Sequence, residues 1–79
     1  MASVRYFAAA ADAAGTACET RAAGTLGELL AGAARDHGER FATVLRRCTT
    51  LVDGLASSDP ATPLRDDAQV DVLPPFAGG

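Results

Sequence analysis

The run TLGELLAGAARDHG, Thr25 to Gly38, decides the fold. Thr25 stands where an N-cap is wanted, and Glu28 three residues on completes a capping box, each side chain satisfying a backbone N–H the helix leaves free. Leu26, Leu29, Leu30, Ala33, Ala34 and His37 recur at helical spacing and make one apolar stripe. Gly38 sits where a left-handed C-terminal cap would end the helix. Gly27 and Gly32 weaken the helix, but the stripe and the two end signals outweigh them. One stripe can be buried on only one face of a sheet, which points to a two-layer α+β domain if the flanks supply strands.

The flanks do supply them. SVRYF, Ser3 to Phe7, is β-branched and aromatic; as a strand it turns Val4 and Tyr6 to one face and Arg5 and Phe7 to the other. Ala8 to Ala14 favours a short helical turn that Gly15 stops. Ala17 to Ala23 reads as a second strand despite poor β-propensity. Beyond the main helix, Phe41, Val44, Leu45 and Cys48 suggest another short helix. TTLVDG, Thr49 to Gly54, is a strand entering an Asp-Gly hairpin turn. A Ser-, Asp- and Pro-rich loop covers Ser57 to Pro63, and a tight acidic turn at Asp66–Asp67 leads to a last strand with Val70 and Val72 on one face. Pro74 and Pro75 cannot donate to a ladder and end it. The helical connection lets the first and last strands lie parallel and central, with a right-handed crossover.

Composition narrows the function. Seventy-nine residues make one small domain, and a chain near this length buries only about 60–65% of its unfolded surface. The 48% hydrophobic content is largely alanine, so the core is thin and leaves little room for an enclosed substrate cavity. A carrier, a binding module or a subunit is expected rather than an enzyme with its own active site. Net charge is −3 and all seven basic residues are arginine; no basic stripe or aromatic platform speaks for nucleic acid. With no lysine, no side chain can accept an isopeptide bond. Cys18 and Cys48 form no CxxC and no disulfide framework, and read as two small, partly buried thiols in a reducing compartment. The alanine-rich N-terminus is broken by Arg5 and Asp12 and makes no signal peptide; no stretch approaches a membrane span. A cytoplasmic protein is expected.

The chain ends PPFAGG, Pro74 to Gly79. Prolines favour a stiff extended segment, six extended residues reach roughly 20 Å, and glycines let the backbone enter a narrow channel. The reactive group at the end is the terminal carboxylate, ionised at neutral pH with an ordinary pKa of about 3.3–3.7 and therefore a poor electrophile. Activation as an acyl-adenylate with ATP, followed by attack of a sulfur donor, would leave a thiocarboxylate able to hand its sulfur on. None of these steps needs a catalytic side chain on the chain itself.

These parts, taken together, resemble the ubiquitin-like (β-grasp) sulfur carriers, and in particular the small subunit of molybdopterin synthase. The resemblance rests on Val4, Tyr6, Phe7 and Ala8 in the first strand, AAGT at Ala13 to Thr16, TLGELL at Thr25 to Leu30, and Pro74, Pro75, Gly78 and Gly79 at the end. It spans essentially the whole chain, with all four segments in register. Val52-Asp53-Gly54 replaces the family's usual V-N-G and Asp66-Asp67-Ala68 its D-G-D, both substitutions that turns tolerate. The resemblance implies an α+β, β-grasp fold: a mixed four- to five-stranded sheet packed on one main helix plus short helices, over residues 1–73, with 74–79 as an extended tail.

It also implies that Gly79 is adenylated by a ubiquitin-activating-type adenylyltransferase, with ATP used by that enzyme, and converted by a sulfur donor enzyme to a thiocarboxylate. Pro74, Pro75, Phe76 and Gly78 would insert into the molybdopterin synthase large subunit, in a heterotetramer of two small and two large subunits, and supply sulfur for the molybdopterin dithiolene. Phe7, Leu55 and Leu73 would form the apolar partner interface, with Phe76 at the channel mouth. No tightly bound cofactor and no metal are implied. Carriers serving cysteine, thiamin or secondary-metabolite biosynthesis share these features, and so does a ubiquitin-like interaction module or modifier. Asp59, Asp66, Asp67 and Asp71 read as solvated turn and outer-face residues, His37 as a ring at a helix end where positive charge suits the dipole. Neither cysteine has the basic setting a persulfide carrier wants.

Overall fold

The computed structural model describes residues 1–75. Five strands and three helices follow in the order β1 (Ala2–Tyr6), α1 (Ala9–Ala14), β2 (Cys18–Arg21), α2 (Leu26–His37), α3 (Glu39–Leu45), β3 (Thr49–Val52), β4 (Leu55–Ala56) and β5 (Gln69–Leu73). The sheet runs β2-β1-β5-β3-β4. β1 and β5 are parallel and pair Val4 with Val70 and Tyr6 with Val72; the other neighbours are antiparallel. The expected parallel pair β1/β5 is thus present, with β5 at the centre.

Two-residue alternation divides the sheet into faces. Val4, Tyr6, Val70 and Val72 are buried against Leu26, Leu29 and Ala33 of α2, Phe41 of α3 and Ala10 of α1. All three helices therefore lie on one side. Arg5, Phe7, Cys18, Leu51, Gln69, Asp71 and Leu73 alternate to the opposite face, which no helix among the described residues covers.

The N-terminus of α2 is closed by more than its own cap. Thr25 Oγ1 accepts from the Glu28 N–H at 3.2 Å, but the expected reciprocal half of the box is replaced by a hydroxyl-to-carboxylate contact from Thr25 Oγ1 to Glu28 Oε1 at 3.3 Å. The next free donors go to the 57–63 loop: Leu26 N–H to the Thr62 carbonyl and Gly27 N–H to the Pro60 carbonyl, both at 2.9 Å. The N–H groups of Leu26, Gly27 and Glu28, which have no partner within the helix, thus each have an acceptor. Pro60 lies so close that a Cβ on Gly27 would sit 2.8 Å from its Cβ and 2.9 Å from its carbonyl oxygen.

Several expectations shift. Gly38 has φ 94° but ψ −177°, so it is not an αL cap; it is the single positive-φ joint between α2 and α3, a conformation glycine adopts readily, its N–H still bonded to Ala34 O at 3.0 Å. β2 is shorter than Ala17 to Ala23 because only Cys18 to Arg21 pair with β1. β1 begins one residue earlier than read from sequence, and the Phe7 N–H continues its ladder to Val72 O at 3.1 Å. The Asp53-Gly54 turn has φ 50° and 84°, the double positive φ of the hairpin turn that Asp-Gly favours.

Candidate functional site

The site is the uncovered sheet face together with the point where β5 leaves it. β5 is the central strand, so the chain exits after Leu73 between the end of β1 and the start of β3, where Leu73 pairs with Thr49. Pro74 is half-buried and Pro75 exposed. Phe76, Gly78 and Gly79, expected to insert and to carry the chemistry, lie outside the described residues.

Phe7 and Leu73 share the outer face beside this exit. Phe7 is 38% exposed, and Leu73 is half-buried. Leu55 is separated from them. Its register opposite Val52 puts it on the helix-side row at the far edge of the sheet, where it is 75% exposed. The three residues expected to make one apolar surface thus form a pair plus an outlier.

Between Phe7 and the centre of the sheet lies an ion pair. Arg5 donates to both carboxylate oxygens of Asp71, Nε to Oδ1 at 2.8 Å and Nη2 to Oδ2 at 3.1 Å, and Gln69 Nε2 adds a donor to Oδ1 at 3.3 Å. The Arg5 guanidinium carbon stands 5.7 Å from the Phe7 ring centroid. Asp71 corrects an expectation: it points outward as alternation requires, but it is only 8% exposed because Arg5 folds over it. The bond to Asp71, reinforced by its charge, raises the Arg5 pKa further. The other three acids, Asp59, Asp66 and Asp67, are exposed.

Sequence reasoning also missed a cluster on the opposite face. Glu19 Oε2 accepts from the Tyr6 hydroxyl, from Arg21 Nε at 3.0 Å and pairs with His37 Nε2 at 2.8 Å, while Arg21 Nη1 reaches Asp36 at 2.9 Å. The rings of Tyr6, His37 and Phe41 meet edge to face, with centroids 5.3–5.8 Å apart. Burial alone would raise the Glu19 pKa, but the hydrogen bonds from Tyr6, His37 and Arg21 outweigh it and hold the carboxyl below its ordinary value. Burial first, then the bond to Glu19, pushes the Tyr6 phenol far up. His37 is thus a packed, hydrogen-bonded element of the fold rather than a free ring on a dipole. This cluster ties β1, β2 and α2 together on the helix side of the sheet.

The thiols divide. Cys18, expected to be partly buried, is exposed and lies opposite Arg5 on the outer face. Cys48 is half-buried, its Sγ–H donating to Val44 O at 3.3 Å, and burial raises its pKa, which keeps it a thiol. Among the described residues no group of three His, Cys, Asp or Glu is placed to hold a metal ion, and no helix is long and apolar enough to cross a membrane.

The architecture has known counterparts. The chain superposes on one chain of the complex of subunits 1 and 2 of molybdopterin-converting factor from Helicobacter pylori with a TM-score of 0.74 and 26% identity, covering 99% of this chain and 97% of that one. A candidate molybdopterin converting factor subunit 1 from Pyrococcus furiosus gives 0.78 at 23% identity, covering 95% and 97%. SAMP1 from Haloferax volcanii, a small archaeal modifier protein, gives 0.80 at 19% identity, covering 99% and 98%. At those last two identities the likeness speaks for the β-grasp fold alone. No curated protein matches by sequence. The model of the ThiS family, however, matches residues 4–79, from the first strand through the terminal glycine: the chain belongs to the ThiS family of ubiquitin-like sulfur carriers.

Proposed function

We propose that the chain carries sulfur as a thiocarboxylate on Gly79 and delivers it for the molybdopterin dithiolene, as the small subunit of a cytoplasmic molybdopterin synthase. The observation that carries this reading is the family match extending to Gly79 on a sheet whose central strand runs out into Pro74-Pro75 beside an apolar pair, the exposed Phe7 and the half-buried Leu73. The pathway is supported by the likeness to subunit 1 in a complex with subunit 2 of molybdopterin-converting factor.

In this reading residues 1–73 dock and 74–79 reach. A ubiquitin-activating-type adenylyltransferase joins the Gly79 carboxylate to AMP and releases pyrophosphate from ATP. A sulfide equivalent from the sulfur donor enzyme then attacks the acyl carbon and AMP leaves, giving the thiocarboxylate. In the large subunit the thiocarboxylate sulfur attacks a carbon of the pterin precursor and displaces the oxygen group it bears, and water then cleaves the acyl–sulfur bond, regenerating the carboxylate and leaving the sulfur on the pterin. Each delivery brings one sulfur, so a dithiolene needs two. Catalytic side chains belong to the partners. Phe7 and Leu73 form the apolar contact, Leu55 a separate contact at the β4 edge, and Pro74, Pro75, Phe76 and Gly78 occupy the channel, in a heterotetramer with two large subunits.

The test is reconstitution of the thiocarboxylated chain with the molybdopterin synthase large subunit and its pterin precursor. Formation of molybdopterin with return of the chain to its carboxylate form is expected. A thiocarboxylate that persists with this large subunit, but is consumed by an enzyme of cysteine or thiamin synthesis, would move the carrier to that pathway.

A further inference from the structure

We infer that Arg5, held by Asp71 in the middle of the outer sheet face, selects the partner: the acceptor subunit meets it with an oxygen acceptor set within an otherwise apolar surface. This rests on the proposed docking of that face against a sulfur-accepting subunit.

Phe7 and Leu73 alone would adhere to many apolar surfaces. The ion pair beside them is a poor choice for stability. Asp is disfavoured in strands, above all in a central one, and a pair whose arginine is 55% exposed contributes little in water. It does fix the guanidinium: Nε and Nη2 are both engaged by Asp71, which holds its carbon 5.7 Å from the Phe7 ring centroid. A guanidinium has five N–H donors. Two are used here, and the others find no protein acceptor among the described residues.

A partner that covers Phe7 must also cover the group packed on it. The remaining N–H donors then lose water, and a surface without an acceptor leaves them unsatisfied at a cost in affinity. A surface with a carboxylate or carbonyl oxygen at that point regains the bond, and the rigid fork sets its position. The pair therefore adds affinity for a partner that supplies the acceptor and costs affinity for one that does not, which is how specificity is built next to a permissive apolar patch.

The experiment is calorimetric titration of the full-length chain into the large subunit from the same organism, with thermal melts alongside. Arg5→Met with Asp71→Leu removes the charges while keeping bulk. Arg5→Gln with Asp71→Asn keeps a neutral hydrogen-bonded pair and serves if the apolar variant does not fold. Each folded double variant is expected to bind roughly tenfold to a hundredfold more weakly than wild type. Affinity equal to or tighter than wild type in either folded variant would overturn the selection role while leaving docking intact. A wild-type chain that does not bind the large subunit at all would instead overturn the docking reading, and this inference with it.

Discussion

The carboxylate of Glu19 gathers the Tyr6 hydroxyl, Arg21 Nε and His37 Nε2 on one oxygen, and these bonds hold its pKa below the ordinary value despite burial. A depressed carboxylate stabilises the fold fully above its unfolded pKa, and that contribution disappears as the pH falls through the folded value. Glu19→Gln should therefore cost about 1–2 kcal/mol at neutral pH, and the gap from wild type should narrow once the pH drops below the ordinary glutamate value of about 4.3. Chemical denaturation at several pH values measures this; a gap that stays constant into acid would contradict it. Nothing local in the sequence marks these residues as partners. The stripe that ends on His37 is legible, but its contact with Glu19 depends on how α2 seats against β2. Asp71 shows the complementary limit: alternation gives its direction correctly, while its burial comes from Arg5, a residue on another strand.

Elements were legible wherever periodicity or turn chemistry is local. The α2 stripe, the Asp53-Gly54 hairpin and the alternation of β1 and β5 all follow from neighbouring residues. What was not legible is the clasp of the 57–63 loop on the first turn of α2. There Gly27 looks like a weakness in a helix, yet it is the residue that admits Pro60: an added Cβ would stand 2.9 Å from the Pro60 carbonyl oxygen. Gly27→Ala gains up to about 1 kcal/mol in helix propensity, but the loop must give way and the Gly27 N–H to Pro60 bond with it. We expect a net loss of about 1–3 kcal/mol, read as a lower melting temperature; an unchanged or raised one would show that the clasp is loose. Gly38 teaches the same lesson. A helix-ending glycine is visible in sequence, but whether it turns left-handed or runs on into α3 depends on where Phe41 must go to be buried.

At the scale of the molecule, all three helices lie on one side of the sheet, and among the described residues none covers the other face, beside which the central strand ends in Pro74-Pro75. Phe7→Ala should weaken binding to the large subunit by about tenfold or more, with little change in thermal stability, because the ring is 38% exposed. Titration calorimetry and a thermal melt separate the two. The layered architecture and the parallel β1/β5 pair could be read from the order of elements, since one amphipathic helix admits few alternatives. The division of Phe7 and Leu73 from Leu55 could not, because it follows from hairpin register across β3 and β4. If sulfur travels on Gly79, loading must change the intact mass of the chain. The chain, with and without Gly79, would be incubated with the adenylyltransferase, ATP and a sulfide donor. The account predicts that the full-length chain exchanges one oxygen for one sulfur at its terminal glycine and that the shortened chain does not change. A full-length chain that keeps its mass, or a shortened chain that makes the same exchange, would contradict it.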